Sequence, residues 1–342
     1  MERTKNDLAM LQALPLEVKV RMTQNRIREW VCEFGTSGVY VSFSGGKDST
    51  VLRHIVRQMY PDIEAVFVNT GLEYPEIQKF VRTFDNVTIL RPKIRFDEVI
   101  KKYGYPLISK EVSQDIFAAR RNPKSRAATK FDENSEYVKK YGTRYCLSKW
   151  KPLLECDFYM SNMCCGVMKK TPAKDFEKRT GKKPFLATMA SESRFRETRW
   201  IQHGCNAFDS KRQISQPMSF WTEQDVLRYI KENDLRIASV YGDIVYKGKD
   251  GFEYSNCFAD AVKLCTTGCS RTGCIFCAFG AHLEKGEGRF EMLKRTHPRQ
   301  YEYCIGGGEY VNGVWQPSKD GLGMGHVFDV LNELYGDGFI RY

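Results

Sequence analysis

Apolar residues recur at helical spacing through residues 16–34 (LEVKVRMTQNRIREWVCEF). The pattern then switches to β-branched and aromatic alternation, which predicts a strand over 39–43. Helical spacing returns at Val51, Leu52, Ile55, Val56 and Met59. AVFVNT (65–70) predicts a second strand ending before Gly71, EYPEIQKFVRTF a helix, and VTILRP (87–92) a third strand. This alternation predicts an α/β unit built on a parallel sheet.

Further along, residues 119–140 are polar and charged with few apolar anchors, which predicts a mobile basic insertion. KKTPAKDFEKRTGKKPFLATMA predicts a helix and a strand, and the arginine-rich SESRFRETRW follows. PMSFWTEQDVLRYIKENDL predicts a helix capped by Thr222, with Asp225 in its first turn. From about residue 246 glycine and cysteine rise, which predicts a metal-bearing region separate from the sheet. The stretch GGGEYVNGVWQPSKDGLGMG is expected to be irregular. The expected domains are a helical segment 1–35, an α/β domain 36–245 carrying the insertion, and a cysteine-rich region 246–342. No internal repeats are found.

The length of 342 residues suits one large domain or two modest ones. Lys and Arg number 53 against 42 acids, a formal charge of +11, which favours a nucleotide, nucleic acid or acidic protein as partner. The first twenty residues lack the apolar core of a signal peptide, and no run approaches membrane-spanning length. A cytoplasmic chain with no membrane partner is expected. Twelve cysteines there are poor candidates for structural disulfides. Their crowding at 257, 265, 269, 274 and 277 points to metal.

The predicted strand-to-helix junction reads SGGKDST, residues 44–50. Gly45 and Gly46 let backbone approach a polyphosphate without a Cβ in the way. Lys47 adds positive charge, and Ser44, Ser49 and Thr50 add hydroxyl donors. Asp48 would repel phosphate unless a divalent cation lay between, so a Mg2+-nucleotide is better motivated than bare phosphate. An ordinary glycine turn is the alternative, and six specified residues in a strand–helix setting argue against it.

The stretch lacks the spacing of a Walker A loop. SGGKDS instead resembles the PP-loop of the adenine nucleotide α-hydrolases. That resemblance implies cleavage of ATP to AMP and pyrophosphate on a doubly wound, mainly parallel five-stranded, Rossmann-like sheet. VNTGLEYPE (68–76) resembles the D-T-G-x-x-F/Y-P-E segment of the phosphoadenosine phosphosulfate (PAPS) reductase family. CCGVMKKTP (164–172) is similar to its C-C-x-x-x-K-x-x-P element, SESRFRETRW to its E-S-x-x-R segment, and PMSFWTEQDVLRYI to its P-x-x-x-W-T/S helix. The matches come in family order over roughly residues 36–240. The resemblance implies that Ser44–Thr50 hold nucleotide phosphates, with Lys47 and Asp48 catalytic, and that Asn69, Thr70 and Gly71 border the nucleotide. It also implies that Arg194, Arg196 and Arg199 meet phosphate or sulfate on the substrate, a solvated face being their alternative. Asn69 departs from the family's usual Asp, which puts a charge-dependent role there in doubt.

Cys274-Ile-Phe-Cys277 places two thiols on one tight turn, and Cys269 lies five residues upstream. Three sulfurs so close suit a metal centre better than packing, and zinc and iron–sulfur both accept four thiolates. Assimilatory adenosine phosphosulfate (APS) reductases pair a Cys-Cys with a distant CxxC on a [4Fe-4S] cluster. Cys164–Cys165 with Cys274 and Cys277 resembles that arrangement. Cys269 is extra to the pattern, Cys265 and Cys304 are held in reserve, and zinc is the fallback. Cys32, Cys156, Cys205 and Cys257 are assigned to packing, and His282 to a surface or capping role.

Three functions follow as expectations. The first resembles the DNA phosphorothioation ATPases and cluster-dependent tRNA thiolases. It binds ATP and Mg2+, cleaves ATP to AMP and pyrophosphate, and transfers sulfur to a nucleotide or nucleic acid (tRNA or DNA), with a sulfur-donor protein as partner. The second is a PAPS or APS reductase making sulfite. The family's reductases carry a nucleophilic cysteine in an E-C-G-x-H tail and tend to have a degraded PP-loop, whereas here no cysteine follows Cys304 and the loop is intact. The third is a non-catalytic nucleotide- or nucleic-acid-binding module stapled by zinc. The oligomeric state is left open, a homodimer included.

Overall fold

A computed structural model describes residues 3–249, 251–254 and 262–342; Cys257 lies outside the described residues. The chain divides into two discontinuous compact units. One is Met1–Asn69, Glu73–Arg91 and Ala173–Gly273; the other is Thr70–Leu72, Pro92–Pro172 and Cys274–Tyr342.

In the first unit the strand Val39–Ser42 lies at the middle of a sheet because both of its faces are covered: Val39, Tyr40 and Val41 are buried. It pairs in parallel with Ala65–Val68 on one side and Lys183–Phe185 on the other. Val87–Leu90 extends the sheet beyond Ala65–Val68, and Ile214–Ser215 extends it beyond Lys183–Phe185, both in parallel. Five parallel strands are therefore present, the number that the resemblance implies, in a sheet of six. A sixth, Asn206–Ala207, runs antiparallel at the edge.

Chain order reverses between Val39–Ser42 and Lys183–Phe185. Open sheets of this kind bind ligands beyond the strand ends at such a reversal. Leu16–Phe34 forms one helix, burying Ile27, Trp30 and Val31, and stops at Gly35, whose φ of 72° suits glycine. Its buried Lys19 is satisfied by the Gln12 carbonyl at 2.6 Å and by Asp225 at 2.7 Å. Thr222 caps Glu223–Glu232 in a reciprocal box with Asp225, as the sequence predicts. After Ile214–Ser215 the chain leaves the main sheet, and Ile244–Lys247 becomes the centre of a separate three-stranded sheet.

The second unit joins distant segments through a two-residue parallel pairing of Leu107–Ile108 with Ala278–Phe279. This pairing fixes the backbone just after Cys277. Two expectations are corrected in this unit. In place of a mobile tract over 119–140, the structure has the helices Lys110–Arg121 and Glu136–Tyr141 and a short 3-10 turn at Ala128–Phe131. Two apolar residues in the polar stretch, Phe131 and Val138, are enough to anchor it, and both are buried.

The glycine-rich stretch is likewise not irregular throughout. Glu309–Val311 and Val314–Gln316 form an antiparallel hairpin, and its turn residues Asn312 and Gly313 have φ of 51° and 77°. An Asn-Gly pair between apolar residues is a strong short-range hairpin signal. Among the described residues no helix is long and apolar enough to cross a membrane.

Candidate functional site

The loop after Val39–Ser42 is shaped by Gly45, whose φ is 72°. A Cβ there would stand 2.7 Å from Val81 Cγ2 and 2.8 Å from Ile77 Cγ2. Gly46 then caps the helix Lys47–Met59 with no side-chain help. Hydroxyl groups lock the turn from within. Ser49 Oγ donates to the Gly46 carbonyl at 2.9 Å and lies 3.0 Å from Ser44 Oγ, while Thr50 Oγ1 donates to the same carbonyl at 3.0 Å. The Gly46 N–H donates to Ser44 Oγ at 3.3 Å, and the Lys47 N–H to Tyr241 Oη at 3.3 Å. The N–H groups of Gly45, Asp48 and Ser49 find no protein acceptor among the described residues. Open donors at a helix N-terminus form an anion cradle.

Residues remote in sequence complete this surface within the same unit. Lys47 Nζ donates to Glu223 at 2.5 Å and to the Ser270 carbonyl at 2.6 Å. Tyr241 Oη lies 2.6 Å from Thr272 Oγ1, and burial pushes the phenol up to about 12, so it stays protonated. Asp48 Oδ1 is buried with no partner. Burial raises the Asp48 carboxyl, the adjacent Lys47 opposes the rise, Glu223 adds to it, and Arg271 and Arg196 counter it. An orphaned buried carboxylate oxygen beside open N–H donors suits a divalent cation shared with phosphate.

The three candidate arginines separate. Arg196 pairs with Glu192, which Arg271 also approaches at 3.7 Å, and burial lowers its pKa. Arg199 is lowered by burial and by nearby Arg212, which is itself engaged by Glu177. Arg194 is exposed at the start of its helix. Arg196 is near enough to Asp48 to favour its charged form. Asn69 ends the Ala65–Val68 strand, its N–H bonded to the Leu90 carbonyl at 2.8 Å. Thr70 and Gly71 belong to the other unit, where Thr70 Oγ1 accepts from the Leu72 N–H at 3.1 Å.

In the second unit Cys164, Cys165, Cys274 and Cys277 line one small cavity with Leu72, Phe96, Pro106, Met168 and Lys169. Cys164 and Cys165 sit in a short helix that continues into a π-type turn, Gly166–Lys170. Neighbouring Cys164 pulls the Cys165 thiol down to about 6 against the effect of burial, assisted by Lys110, Lys169 and Lys170. Burial raises Cys277, and a hydrogen bond from the Phe279 N–H partly offsets it. Four thiols in a wall otherwise apolar but for Lys169 are the donor set of an iron–sulfur or zinc centre. Among the described residues no three His, Cys, Asp or Glu side chains are already drawn to metal-ligand spacing; the thiols share a cavity and do not yet converge.

Cys269 does not line this cavity. It is buried in the first unit beside Tyr74, and burial raises its thiol. Cys304 is fully buried against Met324, and Cys265 lies in a strand. His282 stacks on Phe339, edge-on to Trp150. Sequence reasoning missed Glu223, Tyr241, Thr272, Glu192 and Arg271. Glu223 carried a signal as the first residue after a recognisable cap, and Glu192 carried one as the acid of the E-S-x-x-R match.

Residues 38–111 and 96–279 match the phosphoadenosine phosphosulfate reductase domain model. The chain is 30% identical over 84 residues to a phosphoadenosine 5'-phosphosulfate reductase of Xylella fastidiosa, covering 25% of this chain and 35% of that protein. It is 29% identical over 122 residues to an uncharacterized protein of Methanocaldococcus jannaschii, covering 34% and 26%. A second protein of that archaeon is 41% identical over 73 residues, covering 20% and 15%. The matched stretches thus span about a third or less of these relatives' lengths. Among solved structures, a PAPS reductase from Candida auris in complex with phosphate aligns over 70% of this chain and 91% of its own. The TM-score is 0.37 and the identity 14%.

Proposed function

The chain belongs to the phosphoadenosine phosphosulfate reductase family, and on that premise we propose that it is a PP-loop enzyme that cleaves ATP to AMP and pyrophosphate to drive sulfur transfer. The observation carrying this reading is the loop itself. Open N–H donors, a buried lysine and a buried carboxylate oxygen without a partner meet at one helix N-terminus. A reaction with no β,γ-phosphates to cleave has little use for all three.

In this reading the Gly45, Asp48 and Ser49 N–H groups donate to phosphate oxygens, and Lys47 Nζ exchanges Glu223 for phosphate. Asp48 Oδ1 would hold a Mg2+ ion, which would supply positive charge beside the phosphates. Fixed donors need no reorganisation as charge grows on the leaving pyrophosphate. Cys164, Cys165, Cys274 and Cys277 would hold a [4Fe-4S] cluster, with zinc as the alternative occupant, and a cluster there would supply a binding point for the sulfur atom to be transferred. Neighbouring Cys164 first, and then Lys110, Lys169 and Lys170, favour the thiolate form of Cys165 that ligation needs. The sulfur donor in this reading is a separate protein.

A second reading is reduction of a sulfonucleotide to sulfite. It is favoured by the relatives named as PAPS reductases and by the lowered Cys165 thiol, since a thiolate is the required nucleophile. Anaerobically purified protein separates the two. ATP consumed with equal AMP and pyrophosphate, and lost in Lys47→Ala, supports the first; sulfite from PAPS or APS with ATP untouched supports the second.

A further inference from the structure

Residues 119–150 carry nine Lys or Arg against three acids. Lys124, Arg126, Lys139, Lys140, Arg144 and Lys149 are exposed. Among the described residues none of these six has an ion-pair partner, whereas Lys130 in the same stretch is held by Asp115 at 2.6 Å. These cations are interleaved with aromatic rings, and Arg126 and Arg144 also donate to the hydroxyls of Tyr137 and Tyr145. Arg126 lies over Tyr137 at 5.0 Å and over Tyr141 at 5.8 Å, and those two rings are 4.7 Å apart. Arg144 covers Tyr145 at 4.6 Å, and Lys149 covers Trp150 at 4.9 Å. Tyr141 and Tyr145 are 46% and 36% exposed, although burying either would add to a thin core anchored by Phe131 and Val138.

We propose that this surface binds single-stranded nucleic acid. Unpaired cations track a phosphate backbone, and exposed rings accept unstacked bases without reading sequence. A duplex keeps its bases stacked and would leave the rings idle, and an acidic protein would use the charges alone. In the sulfur-transfer reading this makes the acceptor a single-stranded polynucleotide. That extension rests on the proposed function, while the binding surface does not.

The test is fluorescence anisotropy of labelled mixed-sequence RNA, DNA and duplex oligonucleotides, titrated with the full chain over a salt series and without ATP. The single strands are expected to bind more tightly than the duplex, RNA and DNA being run side by side to assign the source. Lys139→Ala/Lys140→Ala weakens binding and flattens the salt dependence by roughly 0.7 for each phosphate that is no longer neutralised. Tyr141→Ala/Tyr145→Ala weakens it about tenfold or more with the salt slope unchanged. Tyr145→Leu keeps apolar bulk without a π-face and gives a loss in the same direction should the double variant fold poorly. Equal affinity for duplex, binding to polyglutamate as tight as to the strands, or tyrosine variants that bind like the parent would each overturn the proposal. Omitting ATP keeps the outcomes separate: failure here leaves pyrophosphate release standing, and absence of pyrophosphate release leaves strand binding standing.

Discussion

Gly45→Ala is the substitution whose cost can be worked most fully from the loop. At a φ of 72° a Cβ crowds the following carbonyl, costing about 1–2 kcal/mol. The same Cβ stands 2.7 Å from Val81 Cγ2 and 2.8 Å from Ile77 Cγ2, inside contact distance. Both neighbours are 1% exposed, so overpacking adds about 1–3 kcal/mol. Alanine restricts the unfolded chain, which returns about 0.4–1 kcal/mol. The net expectation is a loss of about 1–5 kcal/mol, read by urea denaturation followed by circular dichroism.

A double-mutant cycle with Val81→Ala divides that loss. Removing the nearer methyl relieves part of the clash, so the double variant should be more stable than the sum of the singles by about 1 kcal/mol. The remainder belongs to backbone conformation and should persist. ATP affinity should fall in both Gly45 variants, because the open N–H groups flank the residue that shifts. A Gly45→Ala protein within about 0.5 kcal/mol of the parent, binding ATP normally, would show that the loop does not depend on this conformation.

Other consequences follow from named contacts. Glu223 competes with phosphate for Lys47, and at 43% exposure the pair is weak, so Glu223→Gln should tighten ATP binding a few-fold, about 0.5 kcal/mol by titration calorimetry. Serine at Cys164, Cys165, Cys274 or Cys277 should lower the metal content of anaerobically prepared protein, whereas Cys269→Ser should not; iron, sulfide and zinc analysis checks both. Burial, the larger cause, and a second cation lower the histidine pKa at His54 (beside Arg53) and at His282 (beside Lys149). The unfolded chain therefore binds more protons, and stability present above about 6.5 is lost as pH falls through the folded values. His54→Gln should flatten that decline in a pH series of thermal melts.

What could be read from the sequence was what is local in the chain. The Val39–Ser42 strand, the glycine turn and the Lys47–Met59 helix are contiguous, so periodicity and composition exposed them together. The Thr222–Asp225 cap was legible because a capping box spans only four residues. Tyr241, Thr272 and Glu223 reach the loop from more than 170 residues away, and no local pattern marks such an arrival. The pairing of Leu107–Ile108 with Ala278–Phe279 is two residues long, too short to announce itself. The 119–140 stretch misled for another reason: its average polarity hid Phe131 and Val138, and stability follows which residues are buried more than the mean.

The central claim is that the loop at Ser44–Thr50 cleaves ATP between its α- and β-phosphates, and phosphorus NMR of ATP incubated with anaerobically purified protein and Mg2+ tests it most directly. The account predicts AMP and pyrophosphate resonances growing together, with the rate falling roughly a hundredfold or more in Lys47→Ala. ADP with inorganic phosphate, or ATP unchanged while the same sample releases sulfite from a sulfonucleotide, would contradict it.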